Sequence, residues 1–354
     1  MPVYPSIEDY KASFLDPGSY FKSLSLQFVP STQNAFDPFF ISGGLAVVFK
    51  VLRQGQPWAV KCFKEACPQR KAALDAIAKF LAQNPSPYFL PFEYYDDELW
   101  VCSAIAGDAD YPIVMLPWVE APTLGQYVAD LVAQRKTQAL QDLYESFLEL
   151  AHYLLRSPLA HGDLKHDNIL VKSSGELVLV DYDGVFVPEL SGQPMPEAGM
   201  PGYQHPARAQ APFDQHLDDF SILVILLSLR ALALAPSLKE RFPEQDNLLL
   251  TARDLENPTQ SPLIQHLQTL PHPDLQTLLG LLLVSLAQNR SIQVIGLEAW
   301  VAQTYQEINM PAGEKAFDLA EWKRLPREWK EILWNNGALH SQSKPAKLRA
   351  CLNK

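Results

Sequence analysis

Positive charge is scarce in this 354-residue chain: 29 Lys and Arg stand against 40 Asp and Glu, a formal net charge of −11 at pH 7. Affinity for DNA or RNA comes chiefly from cations that neutralise phosphates, so this balance excludes a general nucleic-acid binder. It leaves room for a small phosphate-bearing ligand held by a few local cations. Cysteine is scarcer still. Cys62, Cys67, Cys102 and Cys351 form no CxxC pair, and no histidine cluster stands near them at zinc-ligand spacing. They read as reduced thiols of a cytoplasmic protein. Long apolar runs are missing too. The most apolar stretch, 222–235, is too short for a typical membrane span and contains Arg230, so it predicts a buried helix and no membrane association. The opening MPVYPSIEDY carries acids where a secretory signal needs a cationic start and an apolar core.

What the chain does have is apolar mass. Hydrophobic residues make up 47% of it, enough for a substantial core and, at roughly 100–200 residues per domain, for two or three domains or lobes. Residues 1–40 are rich in Pro, Ser and aromatics with weak periodicity and are expected to pack irregularly. Between 39 and 63 two β-like runs, AVVFKV and PWAVKCF, flank Arg53-Gln54-Gly55-Gln56, which predicts a hairpin. Helical spacing over 69–83 predicts a helix that Asn84-Pro85 ends. Segments 92–95, 98–103 and 113–118 read as three more strands.

After Pro122 the pattern turns helical, over 124–132 and 139–156, the latter with Leu140, Leu143, Phe147, Leu150 and Leu154 on one face. Two short strands, 169–171 and 177–180, follow, and helices then dominate to about residue 303. The sum is an α+β chain: a segment 1–38 packed on a sheet-rich lobe over 39–119, a larger helical lobe over 120–304, and a helical extension over 305–354. A ligand cleft between the two lobes is the expectation.

The chemistry is concentrated around the two short strands. His161-Gly162-Asp163-Leu164-Lys165-His166-Asp167-Asn168 leads into the first, and Asp181 ends the second in Val180-Asp181-Tyr182-Asp183-Gly184. Phosphoryl transfer needs a carboxylate to orient the attacking hydroxyl and accept its proton. It also needs oxygen ligands for a metal beside the β- and γ-phosphates. A rigid loop between strands aims both sets at one point. Upstream, Ile41-Ser42-Gly43-Gly44-Leu45-Ala46-Val47-Val48 brings glycines that let backbone amides approach phosphates, and Trp58-Ala59-Val60-Lys61 puts a lysine on a strand.

This ordered set resembles the protein kinases, and within them a group of bacterial Ser/Thr-kinase-like proteins marked by VDYDG and YQHP, over about residues 40 to 300. The resemblance implies a two-lobed protein-kinase-like fold. Asp163 matches the catalytic base, Lys165 the lysine that neutralises the transferring phosphate, and Lys61 the lysine on the α- and β-phosphates. Asn168 and Asp181 match the ligands of Mg2+, with Mn2+ as a substitute. Gly43 falls on a family glycine position, Gly44 is extra, and Val48 and Ala59 line the nucleotide. Met115-Leu116-Pro117-Trp118-Val119-Glu120 resembles the hinge, with Leu116 as gatekeeper, Pro117 beside it and the Val119 backbone offered to adenine. Gly199-Met200-Pro201-Gly202-Tyr203-Gln204-His205-Pro206-Ala207 resembles the end of an activation segment. Asp218 would accept hydrogen bonds from the catalytic-loop backbone, and Arg290 resembles the late-lobe arginine.

Several positions depart from that pattern. Gly162 replaces the arginine before the base, and Ser191 and Tyr203 are the only hydroxyls between Gly184 and Pro206, so activation by loop phosphorylation is not expected. Asp183 stands where the metal motif has glycine, and Ala207 where a glutamate closes an ion pair. The helix glutamate that pairs with Lys61 is missing; Asp75 is the only acid in that helix. The resulting expectation is an ATP- and Mg2+-dependent Ser/Thr protein kinase with an unidentified protein acceptor. A nucleotide-binding pseudokinase scaffold and a small-molecule kinase are the other readings. In the extension, the segments from Phe317 to Trp322 and from Arg327 to Trp334 read as amphipathic helices, docked on the large lobe or offered to a protein partner.

Overall fold

The computed structural model describes residues 3–67, 69–196, 198–243, 246–288 and 292–309. The chain divides into two compact units, Met1–Glu120 and Ala121–Lys354. Both expected extension helices, Arg290 and Cys351 lie outside the described residues.

The first unit is a six-stranded antiparallel sheet with helices. Its elements are α1 (Ile7–Leu15), α2 (Pro17–Tyr20), β1 (Gln27–Phe28), β2 (Phe40–Ser42), β3 (Ala46–Arg53), β4 (Gln56–Phe63), α3 (Arg70–Gln83), β5 (Glu93–Val101) and β6 (Ala109–Pro117). The strand order is β1-β3-β4-β6-β5, with β2 also paired to β3. β3 and β4 form the hairpin, and both residues of its tip, Gln54 and Gly55, have positive φ. That double left-handed turn matches the twist of the flanking strands.

Alternation then sorts the faces. Val47, Phe49, Val51, Val60, Cys62, Ile113 and Met115 share one core with Tyr10 and Phe14 of α1. The Phe14 ring stacks on Phe49 at 3.9 Å between centroids, and the Tyr10 hydroxyl donates to Phe63 O at 2.7 Å.

Three expectations are corrected here. Residues 1–40 are not uniformly irregular: a capping box between Ser6 and Asp9 starts α1, whose Tyr10 and Phe14 are buried. The segments read as separate strands at 92–95 and 98–103 are one strand, β5, whose register shifts between Tyr95 and Leu99. Buried Glu98 fixes that bulge by accepting from Ser23 N–H, Ser23 O–H and Leu24 N–H at 2.7–2.8 Å. A third strand also begins earlier than expected, since β6 runs from Ala109.

The second unit is mainly helical. It comprises α4 (Leu124–Ala133), α5 (Thr137–Arg156), β7 (Ile169–Val171), β8 (Leu177–Leu179), α6 (Asp219–Leu234), α7 (Leu238–Arg241), α8 (Ala252–Glu256), α9 (Pro262–Gln268), α10 (Pro273–Ala287) and α11 (Leu297–Asn309). α6 is apolar on every side and is buried from Phe220 to Leu229, as a helix without a polar face must be. Its one cation, Arg230, meets Asp274 of α10 at 2.5 Å and Gln141 of α5 at 2.5 Å. Among the described residues no helix is long and apolar enough to cross a membrane.

Candidate active site

In the second unit, the loop after α5 is tied down before its functional residues begin. Ala160 and Phe186 exchange backbone hydrogen bonds at 3.1 and 2.8 Å. Gly162 then takes φ +82°, and a Cβ there would lie 2.0 Å from Gly184 O. No other residue fits: the backbone is left-handed and the neighbouring chain occupies the side-chain space. The same crowding rules out an arginine at this position.

The buried carboxylate of Asp218, just before α6, accepts His161 N–H at 2.5 Å and Gly162 N–H at 2.9 Å. Burial pushes this carboxyl above its ordinary value, against the pull of His161, the two amides and Arg208. Arg208, 3% exposed, donates to Gly162 O and Leu217 O, both at 2.6 Å. The loop thus has its N–H groups held by an acid and one carbonyl held by a guanidinium.

On this support Asp163, Lys165 and Asn168 converge. Asp163 is buried, and its Oδ2 lies 2.5 Å from Lys165 Nζ and 3.1 Å from Asn168 Nδ2, while Asn168 Nδ2 also donates to Asp163 O at 2.8 Å. Its Oδ1 accepts Met200 N–H at 3.2 Å. A single 3₁₀ turn, His166–Asn168, sets this spacing and feeds directly into β7. His166 packs against Gly125 of α4 and accepts the Tyr203 O–H at 2.7 Å through Nδ1, and the Tyr203 oxygen in turn accepts Leu248 N–H. Burial holds this imidazole below its ordinary value of 6.5.

Asp181 is joined to the same loop through its neighbour. Val180 N–H donates to Asn168 O at 3.0 Å, and Val180 O meets His161 Nε2 at 2.9 Å. Asp181 itself is exposed with φ +69°, a left-handed backbone that Asp tolerates better than most residues and that functional sites favour. Tyr182 is buried with its hydroxyl on Leu179 O at 3.0 Å.

The other predicted residues belong to the first unit. In the register of the sheet Val48 faces Lys61, Ala59 faces Leu116 and Trp58 faces Pro117. Alternation puts Val48, Ala59, Lys61 and Leu116 on the face opposite the α1 core. Lys61 is 8% exposed, with Nζ 5.8 Å from the Phe63 ring centroid. Val119 follows β6, between Trp118 and Glu120, and Glu120 accepts from both Lys50 Nζ at 2.6 Å and the Trp118 indole at 2.9 Å. Gly43 and Gly44 form the turn between β2 and β3. Neither has positive φ, and a Cβ on either meets nothing closer than 3.8 Å. Backbone strain and crowding therefore do not explain those two glycines.

Asp75, the only acid of α3, is exposed and pairs with Lys71 at 3.6 Å, so its helical phase aims it at solvent. Two groups escaped the sequence reading: Lys64, which donates to Ser42 Oγ at 2.9 Å and to Gly43 O at the glycine turn, and Arg208; Met200 and Gln204 stood in the segment 199–207 without a role. Among the described residues no group of three or more His, Cys, Asp and Glu side chains is placed to hold a metal ion. No family model matches the chain, and no curated protein sequence matches it.

Proposed function

We propose that this protein is an ATP- and Mg2+-dependent phosphotransferase of the protein-kinase type, with the two-lobed kinase fold, acting on Ser or Thr hydroxyls of a protein in the cytoplasm. The observation that carries the reading is the convergence of Asp163, Lys165 and Asn168 on one loop fixed from below by Asp218 and Arg208. Asp163 would orient the acceptor hydroxyl and take its proton. Lys165, 2.5 Å from that carboxylate, would neutralise the group being transferred. Lys61 would supply the second ammonium, on the α- and β-phosphates, and the Gly43-Gly44 turn would bring amides to them, with Val48, Ala59, Leu116, Pro117 and Val119 around the base.

The donor set fits a hard divalent cation. Asn168 commits its Nδ2 to Asp163, which leaves the carbonyl oxygen of the side chain for a metal, and Asp181 offers an exposed carboxylate. Such oxygens plus phosphate and water are the usual surroundings of Mg2+. The chemistry supplied there is neutralisation of charge on the β- and γ-phosphates. The thiols of Cys62, Cys67 and Cys102 are unbridged, in keeping with a reducing compartment.

A nucleotide-binding scaffold without turnover is the second reading, and the outward phase of Asp75 favours it, because the only acid of α3 pairs with Lys71 at the surface. Transfer of labelled γ-phosphate, to the protein itself or to casein, separates the two. Asp163→Ala should lower transfer by about 10²–10⁴-fold. Equal transfer by wild type and variant ends the catalytic reading, and metal-dependent nucleotide uptake with no transfer by either establishes the scaffold.

A further inference from the structure

The turn between β2 and β3 is left half closed. Ser42 pairs with Val47, so Gly43 and Ala46 stand opposite each other across the tip Gly44-Leu45. An antiparallel pair that makes one hydrogen bond at such a position ordinarily makes two. Here Gly43 N–H donates to Ala46 O at 3.0 Å. The return bond, from Ala46 N–H to Gly43 O, is not made, and Gly44 and Leu45 bend the chain without it. Ala46 is 8% exposed, and the backbone donors of buried residues are nearly always paired.

The oxygen that this amide would meet is taken by a lysine. Lys64, just past the end of β4, donates through Nζ to Gly43 O and to Ser42 Oγ, the latter at 2.9 Å, while its own N–H donates to Leu45 O at 2.9 Å. Both acceptors of the ammonium are uncharged, so its charge is not cancelled at the turn. Residues 41–45 are all exposed, and no other group lies within 4 Å of where a Gly44 Cβ would be. A ligand can reach this backbone with nothing to displace. Close approach of an anion to the amides is a use for glycine that strain and crowding leave open.

We infer that Lys64 is a positioning residue for nucleotide phosphates: by occupying Gly43 O, its ammonium keeps the Ala46 N–H from closing the hairpin and leaves that amide to phosphate oxygens. The inference rests on the phosphotransferase reading and adds to it what holds the glycine turn ready. Without the ammonium, Gly43 O and Ala46 N–H satisfy each other, and the turn has one donor fewer to offer.

The test compares full-length wild type with Lys64→Met. Titration calorimetry with ATP plus Mg2+ and with adenosine separates the phosphate tail from base and sugar, and amide hydrogen exchange reads Ala46. Removing the ammonium should weaken ATP about tenfold, the value of one hydrogen bond, and leave adenosine unchanged. It should also slow exchange at Ala46 in the nucleotide-free protein, because the hairpin pair then closes. Unchanged ATP affinity in the variant overturns the inference. So does equal weakening of ATP and adenosine, which assigns Lys64 to the fold, and so does exchange at Ala46 that does not slow. A wild type that takes up neither ligand defeats the nucleotide reading itself, and the inference with it.

Discussion

Replacing Gly162 by alanine tests whether the loop is built as described. Two costs are incurred at once. A residue with a Cβ held at φ +82° loses about 1–2 kcal/mol relative to glycine. The new carbon would also lie 2.0 Å from Gly184 O and 2.7 Å from Gly184 C, both backbone atoms that cannot rotate away. Relief requires the two strands of chain to part, an overpacking cost of about 1–3 kcal/mol. Together these predict a loss of about 2–5 kcal/mol, a large share of a typical stability of about 5–15 kcal/mol. Gly175 separates the two contributions, since it has φ +87° but nothing within 4 Å of a Cβ; alanine there should lose only the first, about 1–2 kcal/mol. Urea unfolding read by tryptophan fluorescence should therefore rank wild type above Gly175→Ala and Gly175→Ala above Gly162→Ala. Because Gly162 adjoins Asp163, a parting of about 1 Å should also lower phosphate transfer by roughly 100-fold. Equal midpoints for the two variants would refute the close approach, and with it the reason given for glycine in front of the base.

Arg208→Met strips a buried fork from Gly162 O and Leu217 O and should cost about 2–5 kcal/mol in chemical denaturation, with Arg208→Lys failing to restore it. Ser191→Ala should leave phosphate transfer at the wild-type level, because Arg208 and Asp218 hold the loop without a phosphate; mass-spectrometric mapping that ties activity to phosphorylated Ser191 would contradict this. Stability should fall on acidification through the region just below pH 6.5. Burial keeps the His166 pKa below its ordinary 6.5, so the unfolded chain binds the extra proton first and unfolding is favoured as pH falls. Urea midpoints at pH 5.5 and 7.5 measure this slope, and His166→Gln should make it shallower, His152 and His205, also lowered by burial, supplying the remainder; an identical slope in that variant removes His166 as a cause.

What could be read in advance follows from how local each signal is. The spacing of Asp163, Lys165 and Asn168 was visible because one short turn and a strand start set it, and the hairpin was visible because a loop containing Gly55, which takes a left-handed position without strain, separates two β-like runs. The first helix was missed although Ser6 and Asp9 form a capping box, because surrounding Pro and Ser masked the Tyr10 and Phe14 spacing. β5 was split in two because its break is polar, and the reason that break is tolerated, Glu98 holding Ser23 and Leu24, is distant in sequence. Asp75 was considered for Lys61, but only the phase of α3 against the sheet shows that it faces Lys71 and solvent. Arg208 left no pattern at all, and Gln204 showed only as part of the YQHP run, with nothing to say that its side chain is buried. Their meaning lies in being buried beside the Asp163 loop, a property of tertiary packing.

The proposed phosphotransferase needs Lys61, Lys165 and the side-chain oxygens of Asn168 and Asp181 to engage a triphosphate. Isothermal titration of the full chain with ATP, with and without Mg2+, measures that directly. Uptake that requires the cation and weakens in both Lys61→Met and Asp181→Asn is the predicted result. No heat of binding with ATP and Mg2+ both in large excess over the protein would contradict it.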